Sequence, residues 1–191
     1  MSREREIFKD HVAKVVMNTE DFFIADWANA NGSSDYAIRY VLDIKKGILM
    51  ITGDLGSAIV NWYSPVTAKK LKGLVLDIGY FVGKIKCSTD LYIYREEDIR
   101  EDLNEKYVEL QHKVILQHKV SDDSLDDLRE DFEVLRDWYS DHQCADAKIT
   151  PEIEMICDTY AINLDRIGRR ISPRVHLWIT GYQMLAEQLG I

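Results

Sequence analysis

The sequence predicts an α+β protein, with an antiparallel sheet and packed helices in the N-terminal half and a helical C-terminal half that contains an acidic antiparallel helical hairpin. Three observations predict it. Apolar residues alternate around turn residues over 36–63, apolar residues recur at steps of three and four over 103–139, and 16 acidic residues against 6 basic ones fall within 96–141. The implied division is a sheet region, 1–95, and a helical region, 96–191, packed as one compact unit.

Residues 4–17 read as a first amphipathic helix, with Ile7, Val12, Val15 and Val16 near one side. Asn29 to Ser34, NANGSS, reads as a loop. Tyr36, Ile38 and Tyr40 alternate onto one side of a strand, 48–52 forms its partner, and Gly47 makes the hairpin turn. Residues 57–63 supply a third strand. Thr67 caps a helix through Ala68, Leu71, Leu74 and Val75, and 91–94 offers a further short strand.

In the second half Leu103, Tyr107, Leu110 and Val114 mark one helix and Leu125, Leu128, Phe132, Leu135 and Tyr139 a second, at a coiled-coil-like spacing. Ser121 opens the second, with Asp122 and Asp123 in its first turn. A short connection favours an antiparallel pair. Thr150-Pro151 and Ser172-Pro173 each start another helix, with proline in the first turn.

Composition narrows the function. The chain has 191 residues, 46% of them hydrophobic, and a net charge of -9, so it builds a core and is a poor candidate for sequence-blind nucleic-acid binding. No apolar run is long enough for a membrane span and MSREREIFKD lacks a signal-peptide core, so a soluble cytoplasmic protein is expected. Cys87, Cys144 and Cys157 are odd in number and widely spaced, which argues against a disulfide framework.

Phosphate-loop, dinucleotide-binding, zinc-protease and nucleophile-elbow motifs are absent from the sequence. Asp141-His142-Gln143-Cys144, with Cys157 beyond, has neither paired cysteines nor a second nearby histidine, so no metal and no cofactor is expected. Gly53-Asp54-Leu55-Gly56 reads as a tight turn in preference to a substrate-binding carboxylate. Lys69, Lys70 and Lys72 form one basic group, and Arg166, Arg169, Arg170 and Arg174 another. A helix would present Arg166, Arg169 and Arg170 together. They offer a phosphate-binding patch, or else ion-pair partners for the acidic hairpin or for a second subunit.

The acidic hairpin has the strongest claim to a partner. Asp123, Asp127, Glu130, Asp137 and Asp141 follow a stripe opposite the apolar seam, and Glu101 and Glu105 belong to the excess on the preceding helix. Carboxylates crowded against one another repel, and a basic partner surface relieves that repulsion. A row of them on a rigid helix imitates nucleic-acid phosphates.

The succession Ile38-Arg39-Tyr40, Gly47 to Thr52, Gly53-Asp54-Leu55-Gly56, Trp62 and Asp77-Ile78-Gly79-Tyr80-Phe81, with Lys84 and Cys87, resembles poorly characterised proteins carried by phages, prophages and mobile elements of bacteria. The resemblance covers about a quarter of the chain and brings no catalytic residues with it. It implies a bacterial host cell and an antagonist of host defence, including anti-CRISPR proteins that occupy the basic nucleic-acid channel of a Cas effector and its guide RNA.

Three functions follow from these expectations. The first is a non-enzymatic inhibitor that binds a nucleic-acid-handling host protein, a Cas9-type nuclease above all, through its acidic surface. The second is a small hydrolase using Asp54 with Asp77, or Asp141, His142 and Cys144. The third is a DNA-binding regulator using the arginines between Arg166 and Arg174.

Overall fold

The computed structural model describes residues 2–116, 122–142 and 149–191, with the backbone alone for 116, 122–124, 141 and 142. In chain order its first elements are α1 (Arg3–Ile7), β1 (His11–Asn18), β2 (Phe22–Asn29), β3 (Ile38–Asp43), β4 (Ile48–Gly53) and β5 (Ala58–Asn61). There follow α2 (Ala68–Leu74), α3 (Ile78–Lys84), β6 (Ile85–Ser88) and β7 (Tyr92–Tyr94). The remainder is α4 (Glu96–Leu116), α5 (Asp122–His142), α6 (Pro151–Tyr160), a 3-10 turn (Leu164–Arg166), β8 (Arg169–Ile171) and α7 (Pro173–Leu189). The α+β class is therefore as expected.

These elements form two compact units. A sheet unit comprises Met1–Leu91 with Ser172–Ile191, and a helical unit comprises Tyr92–Ile171. Helix α7, grouped by sequence with the helical segment 96–191, belongs with the sheet. The chain leaves and re-enters the sheet unit at neighbouring points, because the Ser172 N–H donates to the Leu91 carbonyl at 2.9 Å.

In the sheet unit β1 to β6 pair in sequence order, each antiparallel to the next. Both outer pairings carry a register break, between Val15 and Met17 in β1 and between Ile59 and Val60 in β5. The central hairpin turns at Gly47, whose φ of 63° and whose position against Ser64 exclude a side chain, since a Cβ would stand 1.9 Å from the Ser64 carbonyl oxygen. Alternation places Phe23, Ala25, Trp27, Tyr40, Leu42, Leu49 and Ile51 in the core, where Trp178, Tyr182 and Leu185 of α7 are also buried. Tyr40 Oη donates to the Trp178 carbonyl at 2.7 Å and Tyr182 Oη to the Ala68 carbonyl at 2.9 Å, so the core tyrosines keep their hydroxyls bonded.

The expected helix over 4–17 is corrected. Helix α1 stops at Ile7, Phe8 turns into the core, and residues from His11 onward form strand β1. The spacing of Val12, Val15 and Val16 imitates a helix face because the break after Val15 interrupts the strand alternation.

The helical unit begins and ends in a two-stranded ribbon, β7 against β8, with Tyr92 opposite Ile171 and Tyr94 opposite Arg169. Helices α4 and α5 run antiparallel, since Arg136 reaches Asn104 while Phe132, one turn earlier in α5, meets Tyr107, one turn later in α4. Their seam buries Leu103, Leu128, Phe132 and Leu135 with Ile153 and Ile156 of α6. Phe132 is held edge-on to Tyr107, 5.4 Å between ring centroids, and lies 5.8 Å from Tyr160. Thr150 caps α6 through its hydroxyl, with Pro151 in the first turn. No described helix is long and apolar enough to cross a membrane.

Candidate partner-binding surface

The outward side of α5 follows from its inward side. Leu128, Phe132, Leu135 and Tyr139 are buried, so Asp127, Glu130, Glu133 and Asp137, between them on the helix, are exposed. Asp123 and Asp141 lie on the helix backbone, but their side chains are outside the described residues. On α4, Glu105 is exposed, and Glu101 is exposed while standing 3.4 Å from the Arg170 guanidinium.

Some of the acidic excess is spent within the helical unit. Arg170 Nη2 meets Asp102 Oδ1 at 2.8 Å, Arg170 Nε meets Asp98 Oδ1 at 3.3 Å, and Asp102 also accepts the Gly168 N–H at 2.7 Å. The Arg170 hydrogen bond holds the Asp102 carboxyl below its ordinary range, with the Gly168 amide adding to it against the opposing effect of burial. Glu96 pairs with Arg100, Glu109 with Lys106 and Lys113, and Asp126 with Arg129. Tyr160 Oη donates to Asp131 at 2.8 Å, and burial followed by that bond pushes the phenol up to about 12. Among the described residues no ion pair reaches Glu105, Asp127, Glu130, Glu133 or Asp137. That unpaired remainder lies toward solvent.

The arginines do not share a helix face. Arg166 is in the 3-10 turn, Arg169 and Arg170 are on β8, and Arg174 is on α7 of the sheet unit. Gly168, at φ 69° and pressed against Ile99, breaks the helical continuation that the spacing suggested. Arg170 is committed to three carboxylates, Arg174 to Asp90 at 2.5 Å, and Arg169 lies over the Tyr92 ring at 4.4 Å. Of the lysines on α2, Lys72 donates to the Ile191 carbonyl at 3.0 Å.

The other candidates have structural work. Asp54 accepts the Tyr36 N–H at 2.9 Å within the turn bounded by Gly53 and Gly56, and Asp77 caps α3 through the Tyr80 N–H at 2.9 Å. Phe81 of the same segment is buried near Trp62, with 6.3 Å between ring centroids. Cys87 is exposed, and burial pushes the Cys157 thiol up. Cys144 and the side chains of Asp141 and His142 lie outside the described residues. Among the described residues no three His, Cys, Asp or Glu side chains are grouped to hold a metal ion.

No protein-family model matches the chain, and comparison with curated proteins and with solved structures returns no match.

Proposed function

We propose that this protein is a non-enzymatic binding protein whose acidic helical hairpin docks on the basic, nucleic-acid-binding surface of another protein. The observation that carries the proposal is the exposed and unpaired set Glu105, Asp127, Glu130, Glu133 and Asp137 on helices whose opposite faces are buried. A rigid acidic helix presents charge at fixed spacing, which suits a groove built for phosphates. With the resemblance to phage- and mobile-element-borne proteins, the proposed partner is a host effector in the bacterial cytoplasm, a Cas9-type nuclease with its guide RNA, and the mode is anti-CRISPR-like inhibition. The engagement of Arg170 and Arg174 within the chain weighs against the alternative of a DNA-binding regulator. The backbone roles of Asp54 and Asp77 weigh against the hydrolase.

The test is a triple variant, Glu105→Gln, Asp127→Asn and Glu130→Gln, titrated against a guide-loaded Cas9-type nuclease. Binding by the wild type is expected to weaken steeply as salt rises, and the variant is expected to lose at least about tenfold, or about 1.4 kcal/mol. Unchanged affinity in the variant, or no binding by the wild type at low salt, overturns the proposal.

A further inference from the structure

Within the helical unit, β7, the first turns of α4 and the last turns of α5 line a partly open cavity of about 830 Å³. Its size falls in the range of small-molecule sites. The apolar part includes Ile99 and Leu103, which are 5% and 0% exposed, and the aromatic part includes Tyr94 and Tyr139.

The charge of this cavity is the reverse of its surroundings. Only six basic residues occur in 96–141, yet Arg100 and Arg136 both line the cavity and Arg95 joins them. Against these three guanidinium groups stand two lining carboxylates, Glu96 and Asp137. Glu96 is paired with Arg100 at 2.5 Å. Arg136 is oriented by a 2.7 Å bond to Asn104 Oδ1 and by the Tyr107 ring, 5.9 Å from its guanidinium carbon, and that single bond leaves most of its donors available. Among the described residues no ion pair engages Arg95. Guanidinium groups held beside apolar and aromatic surface recognise a planar anion by hydrogen bonds at one end and stacking at the other.

We infer that this cavity is a binding site for a small organic anion bearing a flat aromatic ring, a nucleoside monophosphate or an aromatic carboxylate. The anionic group sits at Arg95 and Arg136, and the ring lies on the tyrosine surface. This site shares Asp137 with the acidic outer surface proposed for the partner, but its lining includes none of Glu105, Asp127 and Glu130.

The test is equilibrium binding of adenosine monophosphate, phenylacetate and inorganic phosphate to the whole protein. Saturable binding of either aromatic anion below about 1 mM, tighter than inorganic phosphate, is expected, and the preferred one tells phosphate from carboxylate chemistry. Arg95→Gln and Arg136→Gln are each expected to weaken it at least tenfold, while Arg129→Gln, outside the cavity, leaves it unchanged. Arg95 is exposed and, among the described residues, holds no ion pair, so Arg95→Gln remains informative if Arg136→Gln loosens the helices. The triple carboxamide variant keeps this binding whether or not it keeps a protein partner. No saturable binding of either aromatic anion, inorganic phosphate binding as tightly as both, or full affinity in Arg95→Gln overturns the inference.

Discussion

Gly181 of α7 stands directly against the hydroxyl of Tyr40 on β3. A Cβ at position 181 would lie 2.7 Å from Tyr40 Oη and 3.0 Å from Ile38 Cδ1, and that hydroxyl is itself held 2.7 Å from the Trp178 carbonyl. The missing side chain is what lets the helix approach the sheet closely enough for Tyr40 and Tyr182 to meet edge to face at 5.2 Å. Gly181→Val is therefore expected to destabilise the sheet unit by about 1–3 kcal/mol through overpacking. The measurement is denaturant unfolding of the full chain, and an unchanged midpoint contradicts this account of the contact.

His11 makes the sheet unit sensitive to acid. It is 5% exposed, packs against Phe8 and Trp27, and among the described residues neither ring nitrogen makes a hydrogen bond of good geometry. Burial lowers its pKa below the ordinary 6.5, while the backbone at Asp35 and Tyr36 and the Asp10 carboxylate act in the opposite direction. The unfolded chain thus takes up a proton that the folded one resists, so stability from neutral His11 is present above pH 6.5 and is lost as pH falls below it. Melting temperature measured from pH 7 to pH 5 should fall in the wild type and fall less in His11→Phe.

Arg170 is a strut of the helical unit. Removing it leaves Asp98 and Asp102, with side chains 15% and 21% exposed, without their cation. Arg170→Gln should cost about 1–3 kcal/mol of that unit's stability. The deficit should also shrink as pH falls through the acid range, because the wild type loses the stability it gains from a depressed Asp102 pKa once that carboxyl is protonated, whereas Arg170→Gln lacks that contribution at any pH. Circular dichroism against pH in both proteins reads the difference.

How much of this was legible in sequence depends on whether the signal was local. Gly47, Thr67, Thr150 and the prolines at 151 and 173 announced turns and helix starts because each acts within a few residues. The seam from Leu128 to Tyr139 was visible because helical periodicity repeats within one segment. Strands β6 and β8 are four and three residues long and owe their conformation to partners far along the chain, so no local pattern marked them. The same limit misassigned the arginines to one helix face. It also concealed the cavity, whose lining comes from residues 92–104 and 136–140.

The insertion of the helical unit between Leu91 and Ser172 suggests that it is dispensable to the sheet. Because those two residues are hydrogen-bonded at 2.9 Å, replacing 92–171 by a short glycine-serine linker should leave the sheet unit folded. Retained cooperative melting of the shortened chain, with strand-rich circular dichroism, is the expected result.

The register breaks at the two outer strands bear on behaviour at high concentration. An outer strand as apolar as β1, with Val12, Val15, Val16 and Met17 all exposed, would ordinarily recruit strands from other copies and seed fibrils. The break after Val15 twists that edge out of a regular ladder, Gln188 of α7 already occupies the Ala13 amide, and the opposite edge is irregular beside β6. Each end of the sheet is therefore a poor template, and concentrated solutions should resist growth of ordered aggregates for as long as α7 stays docked.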